Sequence, residues 1–183
     1  RYFAHGRDCQ DLWIAVAGEE VPFGTDLVFA ASNLPNFTFG VEICEDFWAP
    51  NPPGTLAALA GALILCNLSA SPITIGRAED RHMHCRSASA RSMCAYVYSA
   101  SGHGESTTDL AWDGQGVIYE LGGLQCESTR FDLEPELCIS DIDVDRIALE
   151  RMRNGTFNDA AEAHGRPEDN YRRVVFEHAY EAG

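Results

Sequence analysis

Cys44 has the setting of a reactive thiol. It ends the run Thr38 to Ile43, which is rich in β-formers, and is followed by Glu45, Asp46, Phe47 and Trp48 and then by Pro50, Pro52 and Pro53. Prolines remove backbone donors, so a strand cannot continue past Asp46 and Cys44 falls where a strand stops and a turn starts. A thiolate there is held by a rigid element yet exposed at a sheet edge, with the next backbone N–H groups free to bind a developing oxyanion. Cys44 is thus a candidate nucleophile. The alternative is a small buried hydrophobe, which is what a lone cysteine usually is.

Other polar groups carry weaker cases. His103 follows the apolar run 95–100, so it too stands at a strand end and could pair with Cys44 as the dyad of a thiol hydrolase. Glu105, in the same Gly-His-Gly-Glu-Ser stretch, either lines that pocket or ends a loop. His82, His84 and Cys85 have the look of metal ligands, but helix residues two apart point to different sides, and no metal site is expected. Cys66 and Cys94 lie inside apolar elements and read as core packing. The acids Glu134, Glu136, Asp141, Asp143 and Asp145 read as a solvated face, with no spacing that suggests calcium.

Composition bounds the partners. The chain has 183 residues, 45% of them hydrophobic and 22% charged, enough for one domain with its own core. Its formal charge of −15 argues against a nucleic-acid or anionic-membrane surface. No apolar run is long enough for a membrane span and no signal peptide opens the chain, so no membrane partner is expected. All 13 basic residues are arginine, and there is no lysine. The seven cysteines are odd in number and never in a CxxC pair, which suggests a reducing, cytoplasmic compartment. The opening Arg1 and the patternless first residues suggest a piece of something longer.

The elements that must position Cys44 follow from periodicity. Strands are expected at 12–17, 26–31, 37–43, 62–68 and 95–100; the run 62–68 is apolar throughout, as in a strand buried on both faces. A helix is expected from near Pro53 to Gly61, and the longest one from residue 75 or 76 to Cys94. A helix between two buried strands implies a sheet covered by helices. Strands at 108–112, 117–120, 124–132 and 137–141, joined by glycine turns, predict an antiparallel meander. Beyond Asp143 come a helix at 144–153, a loosely patterned polar stretch at 154–169 and a possible extended arm at 171–177.

Three segments, 41–46 (Val-Glu-Ile-Cys-Glu-Asp), 67–81 (Asn-Leu-Ser-Ala-Ser-Pro through Arg77 to Arg81) and 104–114 (Gly-Glu-Ser-Thr-Thr-Asp-Leu-Ala-Trp-Asp-Gly), together resemble the glutaminase domain of glutamine-dependent NAD(+) synthetases, within the nitrilase or carbon–nitrogen hydrolase superfamily. The likeness runs from about Gly24 to Phe131 and is weaker past Asp143. It implies an α/β fold, the nitrilase-like αββα sandwich, present only as its C-terminal part over residues 1–143, with a connector over 144–183 leading toward an absent synthetase domain. Cys44 falls on the nucleophile of a Glu–Lys–Cys triad that releases ammonia from L-glutamine, and the backbone N–H of Glu45 falls at the oxyanion. Ser71 and Arg77 fall on positions that hold glutamine, Arg77 by a planar fork suited to a carboxylate. Read by pattern alone, Ser71 is a turn or capping serine and Arg77 a surface partner of Glu79 or Asp80.

The triad lysine and glutamate and a glutamine-contacting tyrosine lie ahead of this segment in the relatives, and no lysine is present to substitute. The glycine-rich ATP loop of the synthetase is absent as well. The expectations are therefore a chain inactive alone and no cofactor in these residues, with ATP and Mg belonging to the absent domain. An apolar sheet face should be left for the N-terminal part of the domain, and a homo-oligomer is expected. A Cys44–His103 hydrolase and a catalytically incomplete binding or assembly module remain the alternatives.

Overall fold

The computed structural model describes residues 6–8 and 11–178. A hairpin of β1 (Trp13–Val16) and β2 (Glu19–Pro22) precedes the main body. The body then runs β3 (Leu27–Ala31), β4 (Thr38–Ile43), a 3₁₀ turn (Cys44–Trp48), α1 (Pro53–Leu59), β5 (Ile64–Ser69), α2 (Arg77–Arg91) and β6 (Ala95–Ala100). It is completed by β7 (Gly116–Glu120), β8 (Gly123–Glu127), α3 (Val144–Arg153), α4 (Gly155–Ala163), α5 (Pro167–Asn170) and β9 (Arg172–Phe176). No described helix is long and apolar enough to cross a membrane.

One seven-stranded sheet, in the order β8-β7-β6-β5-β4-β3-β9, organises everything after the hairpin. Its centre is parallel: β4 pairs with β5 and β5 with β6, because α1 and α2 carry the chain back to the same sheet edge each time. Alternation along the strands sets two unlike faces. Leu65, Tyr96, Tyr98 and Val117 point toward α1 and α2 and pack with Ala57, Ala58, Cys85 and Cys94. The opposite face carries Val41, Ile43 and Leu68, each about half exposed, and no described element covers them. Cys66, read as core, sits half-buried on this open face in register with Val41 and Val97.

The sheet departs from the periodicity in identifiable places. Residues 108–112 and 137–141 form no strand, and β8 stops at Glu127, so the meander reduces to the β7–β8 hairpin. Alternation there was misleading because tertiary contacts replace the ladder: Ile73 N–H donates to Ala111 O at 2.8 Å and Phe131 N–H to Asp113 O at 2.7 Å. The stretch 154–169 holds α4 and α5, started by the Asn154 side chain capping Phe157 N–H at 3.1 Å and by Pro167. Cys126 and Cys138 form a disulfide, which differs from the reading of the cysteines as those of a reducing compartment; with seven cysteines, pairing cannot be deduced from spacing. Cys9 lies outside the described residues.

The segment after Asp143 is pinned to the same body. Arg151 of α3 is buried and donates to four carbonyls, those of Met93 (2.8 Å), Ala58 (2.9 Å), Ala62 (2.8 Å) and Ser92 (2.9 Å). These carbonyls belong to the C-terminal ends of α1 and α2 and the turns that follow, where helix acceptors lack a donor from the next turn. Burial lowers the Arg151 guanidinium to about 10. Ile147 packs with Leu63 and Ala95, and β9 adds in parallel to β3.

Arg151→Lys should cost about 2–4 kcal/mol, because an ammonium cannot reach four divergent carbonyls and leaves buried acceptors unpaired. Chemical denaturation measures it, and a change below about 0.5 kcal/mol contradicts this role for the guanidinium.

Candidate active site

Cys44 leaves β4 with a φ of 51°, the left-handed region that costs a residue bearing a Cβ about 1 kcal/mol. Asp46 Oδ2 holds the bend by accepting from the N–H of Ile43 at 2.9 Å. Ser69, at the end of neighbouring β5, directs its hydroxyl at the sulfur: Oγ to Sγ is 3.6 Å. Ser69 Oγ in turn accepts from Tyr98 OH at 2.9 Å and from the N–H of Ser71 at 3.3 Å, so its own proton is left for Cys44. The thiol is partly exposed and opens on a groove of about 400 Å³ lined by Ile43, Leu68, Ser99 and Ser101.

Behind it lies a second carboxylate group. Glu42, two residues before the cysteine on the helix-covered face, is 3% exposed. Its Oε2 accepts from the N–H of Gly54 at 2.8 Å and its Oε1 from Tyr96 OH. Asn67 Nδ2 lies 3.4 Å from Glu42 Oε1 and 3.4 Å from the carbonyl oxygen of Cys44, tying the carboxylate to the strained residue. Burial pushes the Glu42 carboxyl above its usual range against the hydrogen bonds from Tyr96, Gly54 and Asn67, which oppose the shift. Gly54 packs directly on this carboxylate, and a Cβ there would come within 2.6 Å of Glu42 Oε2 and displace it.

Ser71 and Arg77 are set by α2. Ser71 is buried, and its carbonyl accepts from Arg81 Nη2 at 2.6 Å. Arg81 Nη1 binds both oxygens of Asp113 at 2.7 and 2.9 Å, with both side chains fully buried, and Arg130 approaches Asp113 at 3.5 Å. Arg77, the first residue of α2, forms no described ion pair with Glu79 or Asp80. Its guanidinium lies over the Trp48 ring, 4.5 Å from the centroid, and its Nε is buried without a partner. Trp48 ends the 3₁₀ turn that Cys44 begins, and exposed Glu45 is that turn's second residue, where N–H groups have no partner within the turn. Cys44, Ser71 and Arg77 are thereby linked through Ser69 on one side and Trp48 on the other.

His103 lines a neighbouring cavity of about 240 Å³ with Asp113, Asp132 and Glu134, and no described hydrogen bond joins it to Cys44. Glu105 is exposed on the same loop. His82 and His84 diverge: His82 meets Tyr119 OH at 2.7 Å and Glu127 at 3.0 Å, while His84 packs on Trp48 and Phe47. Cys94 is fully buried, and burial pushes its thiol up to about 12.

No protein-family model matches the chain. Solved structures do resemble it: a carbon–nitrogen hydrolase from Helicobacter pylori gives a TM-score of 0.59 at 16% identity, over 76% of this chain and 51% of that one. A Saccharomyces cerevisiae member of branch 10 of the nitrilase superfamily gives 0.53 at 20% identity, over 64% of this chain and 42% of that one. The fold is that of the nitrilase superfamily. A glutamine-dependent NAD(+) synthetase from Cytophaga hutchinsonii shares this nitrilase fold with a TM-score of 0.59 at 23% identity, covering 89% of this chain and 26% of that one. In sequence, the glutamine-dependent NAD(+) synthetase of Mycobacterium tuberculosis is 55% identical over 163 residues, 89% of this chain and 24% of the relative. The corresponding protein of Mycobacterium leprae is 52% identical over 163 residues. The chain thus spans about a quarter of the length of the curated relatives it matches.

Within this nitrilase fold, several supporting groups escaped sequence reasoning. Glu42 and Asn67 are polar residues at inward positions of expected strands, and Ser69, one residue past the expected strand 62–68, is the inward last residue of β5; position parity was the available signal. Arg81 stands in the buried stripe of α2 with Ala78 and Cys85, and an arginine there demands a buried carboxylate such as Asp113.

A carboxyl whose folded value is raised stabilises the fold most at low pH, and that contribution is lost as pH rises through the raised value. From pH 4.5, the ordinary carboxyl value, upward, Glu42→Gln should therefore flatten the decline in unfolding free energy relative to the parent. Denaturation across pH measures the two slopes, and equal slopes contradict a buried, proton-favouring Glu42.

Proposed function

We propose that this chain is the nucleophile-bearing part of the glutaminase domain of a glutamine-dependent NAD(+) synthetase. The observation that carries this reading is the joint placement of Cys44, at a strained strand end with Ser69 Oγ aimed at its sulfur, and of Ser71 and Arg77 on the loop and helix that follow the adjacent strand. Identity of 55% to the Mycobacterium tuberculosis protein across 89% of the chain supports it.

In this mechanism the triad glutamate takes the thiol proton as Cys44 Sγ attacks the side-chain amide carbon of L-glutamine, and the carbonyl C=O π bond opens to an oxyanion, received by the backbone N–H of Glu45. The C–N bond breaks, ammonia leaves with a proton from a general acid, and a γ-glutamyl thioester remains. Water adds to the thioester, the C–S bond breaks, and glutamate and the thiol are released. Arg77 binds the α-carboxylate of glutamine and Ser71 contributes to the same pocket. The lysine and glutamate of the triad come from the N-terminal part of the same domain, whose sheet covers Val41, Ile43 and Leu68. ATP and Mg belong to the synthetase domain, where the ammonia amidates deamido-NAD. The complete protein is a cytoplasmic homo-oligomer, and residues 144–183 lead from the glutaminase part, residues 1–143, toward the synthetase part.

A glutamine-analogue electrophile, diazo-oxo-norleucine, should label Cys44 in the complete protein and fail to label Cys44→Ala. Unlabelled Cys44, or labelling lost with His103→Ala, contradicts the reading. The isolated 183-residue chain should show no steady-state glutaminase activity, and measurable turnover by that chain refutes the claim that its helpers come from elsewhere.

A further inference from the structure

Trp48 stands between two groups on one face of α2. The guanidinium of Arg77 lies 4.5 Å from its ring centroid, and the His84 ring packs edge-on at 4.6 Å, two helical turns further along. Phe47 closes the group, 4.9 Å from Trp48 and 5.6 Å from His84. The indole is therefore fixed by packing before the arginine leans on it.

Stacking uses the face of a guanidinium and leaves its N–H edge free, whereas an ion pair with a neighbouring acid would use that edge. Arg77 has Asp80 three residues on and Glu79 two residues on but forms no described ion pair with either, and its buried Nε has no partner. Its side chain is thus oriented without spending the donors a carboxylate ligand needs. Trp48 also closes the 3₁₀ turn that opens with Cys44, so one five-residue turn carries both the thiol and the plate that aims the arginine.

We propose that Trp48 is a positioning residue for substrate: it fixes the guanidinium of Arg77 so that an amino-acid α-carboxylate is received at a set distance from the Cys44 sulfur. The proposal rests on the glutaminase reading and adds to it the residue that sets how tightly the α-carboxylate end is held. Loss of the stack frees the guanidinium and weakens substrate binding, while the thiol, held by Ser69 and Asp46 on the other side, keeps its chemistry.

The test is steady-state glutaminase kinetics in the complete protein with Trp48→Ala, Trp48→Phe and Arg77→Ala. Trp48→Ala should raise the glutamine KM about fivefold to tenfold, with kcat within about twofold, and Trp48→Phe should recover most of the loss. In the double variant Trp48→Ala/Arg77→Ala, KM should match Arg77→Ala alone, because the two residues act through one contact. Alkylation of Cys44 by iodoacetamide, which has no α-carboxylate, should proceed at the parent rate in Trp48→Ala. Additive KM effects, a Trp48→Phe variant as impaired as Trp48→Ala, or an unchanged KM overturns the proposal. If Cys44→Ala retains glutamine hydrolysis, the underlying glutaminase reading fails instead. Should Trp48→Ala not fold, the Trp48→Phe and double-variant comparison made as Trp48→Phe/Arg77→Ala decides by the same criterion.

Discussion

The site depends on a carboxyl group buried behind the central strand. Glu42 collects the hydroxyl of Tyr96 from β6, the amide of Gly54 from α1 and the side chain of Asn67 from β5, so three elements converge on one acid beneath the cysteine. Taking a carboxyl out of water is costly, and its oxygens must be satisfied by the elements around it. That requirement fixes β4, β5, β6 and α1 relative to one another. Through Asn67 it also reaches the carbonyl of Cys44, the residue whose backbone is held in an unfavourable region. Strain of this kind persists only where surrounding contacts over-determine it.

The two faces of the same sheet differ. One face is closed by α1 and α2 over a core of tyrosines, alanines and buried cysteines, while Val41, Ile43 and Leu68 stay exposed on the other. An apolar strip on a sheet face is a surface for association. The strip borders the groove into which Cys44 opens, since Ile43 and Leu68 line that groove. Whatever covers the sheet therefore also walls the thiol.

The parts legible in the sequence were local. The strand ending at Ile43, the proline-rich break, the long helix and the apolar strands at 62–68 and 95–100 each announce themselves within one contiguous stretch, and so the elbow at Cys44 was readable. Contacts between distant segments were not. The parallel pairing of β9 with β3 joins residues about 145 apart, and Arg151 reaches carbonyls 58 to 93 positions away. The alternating residues of 108–112 and 137–141 suggested strands, but neither stretch joins a ladder, and at 108–112 the carbonyl of Ala111 is taken by Ile73 N–H. Glu42 and Asn67 sat inside expected strands and Ser69 just past one, where periodicity marks a face but does not say that a carboxyl or hydroxyl on it will be satisfied from across the sheet.

The central claim is that Cys44 forms a covalent acyl intermediate with a glutamine side chain. Acid quenching of the complete protein during glutamine turnover, followed by peptide mass mapping, tests it most directly. The account predicts a single γ-glutamyl thioester on the peptide carrying Cys44, cleaved by hydroxylamine. An adduct on any other residue, or glutamine turnover with no adduct on Cys44 under quenching that preserves thioesters, would contradict it.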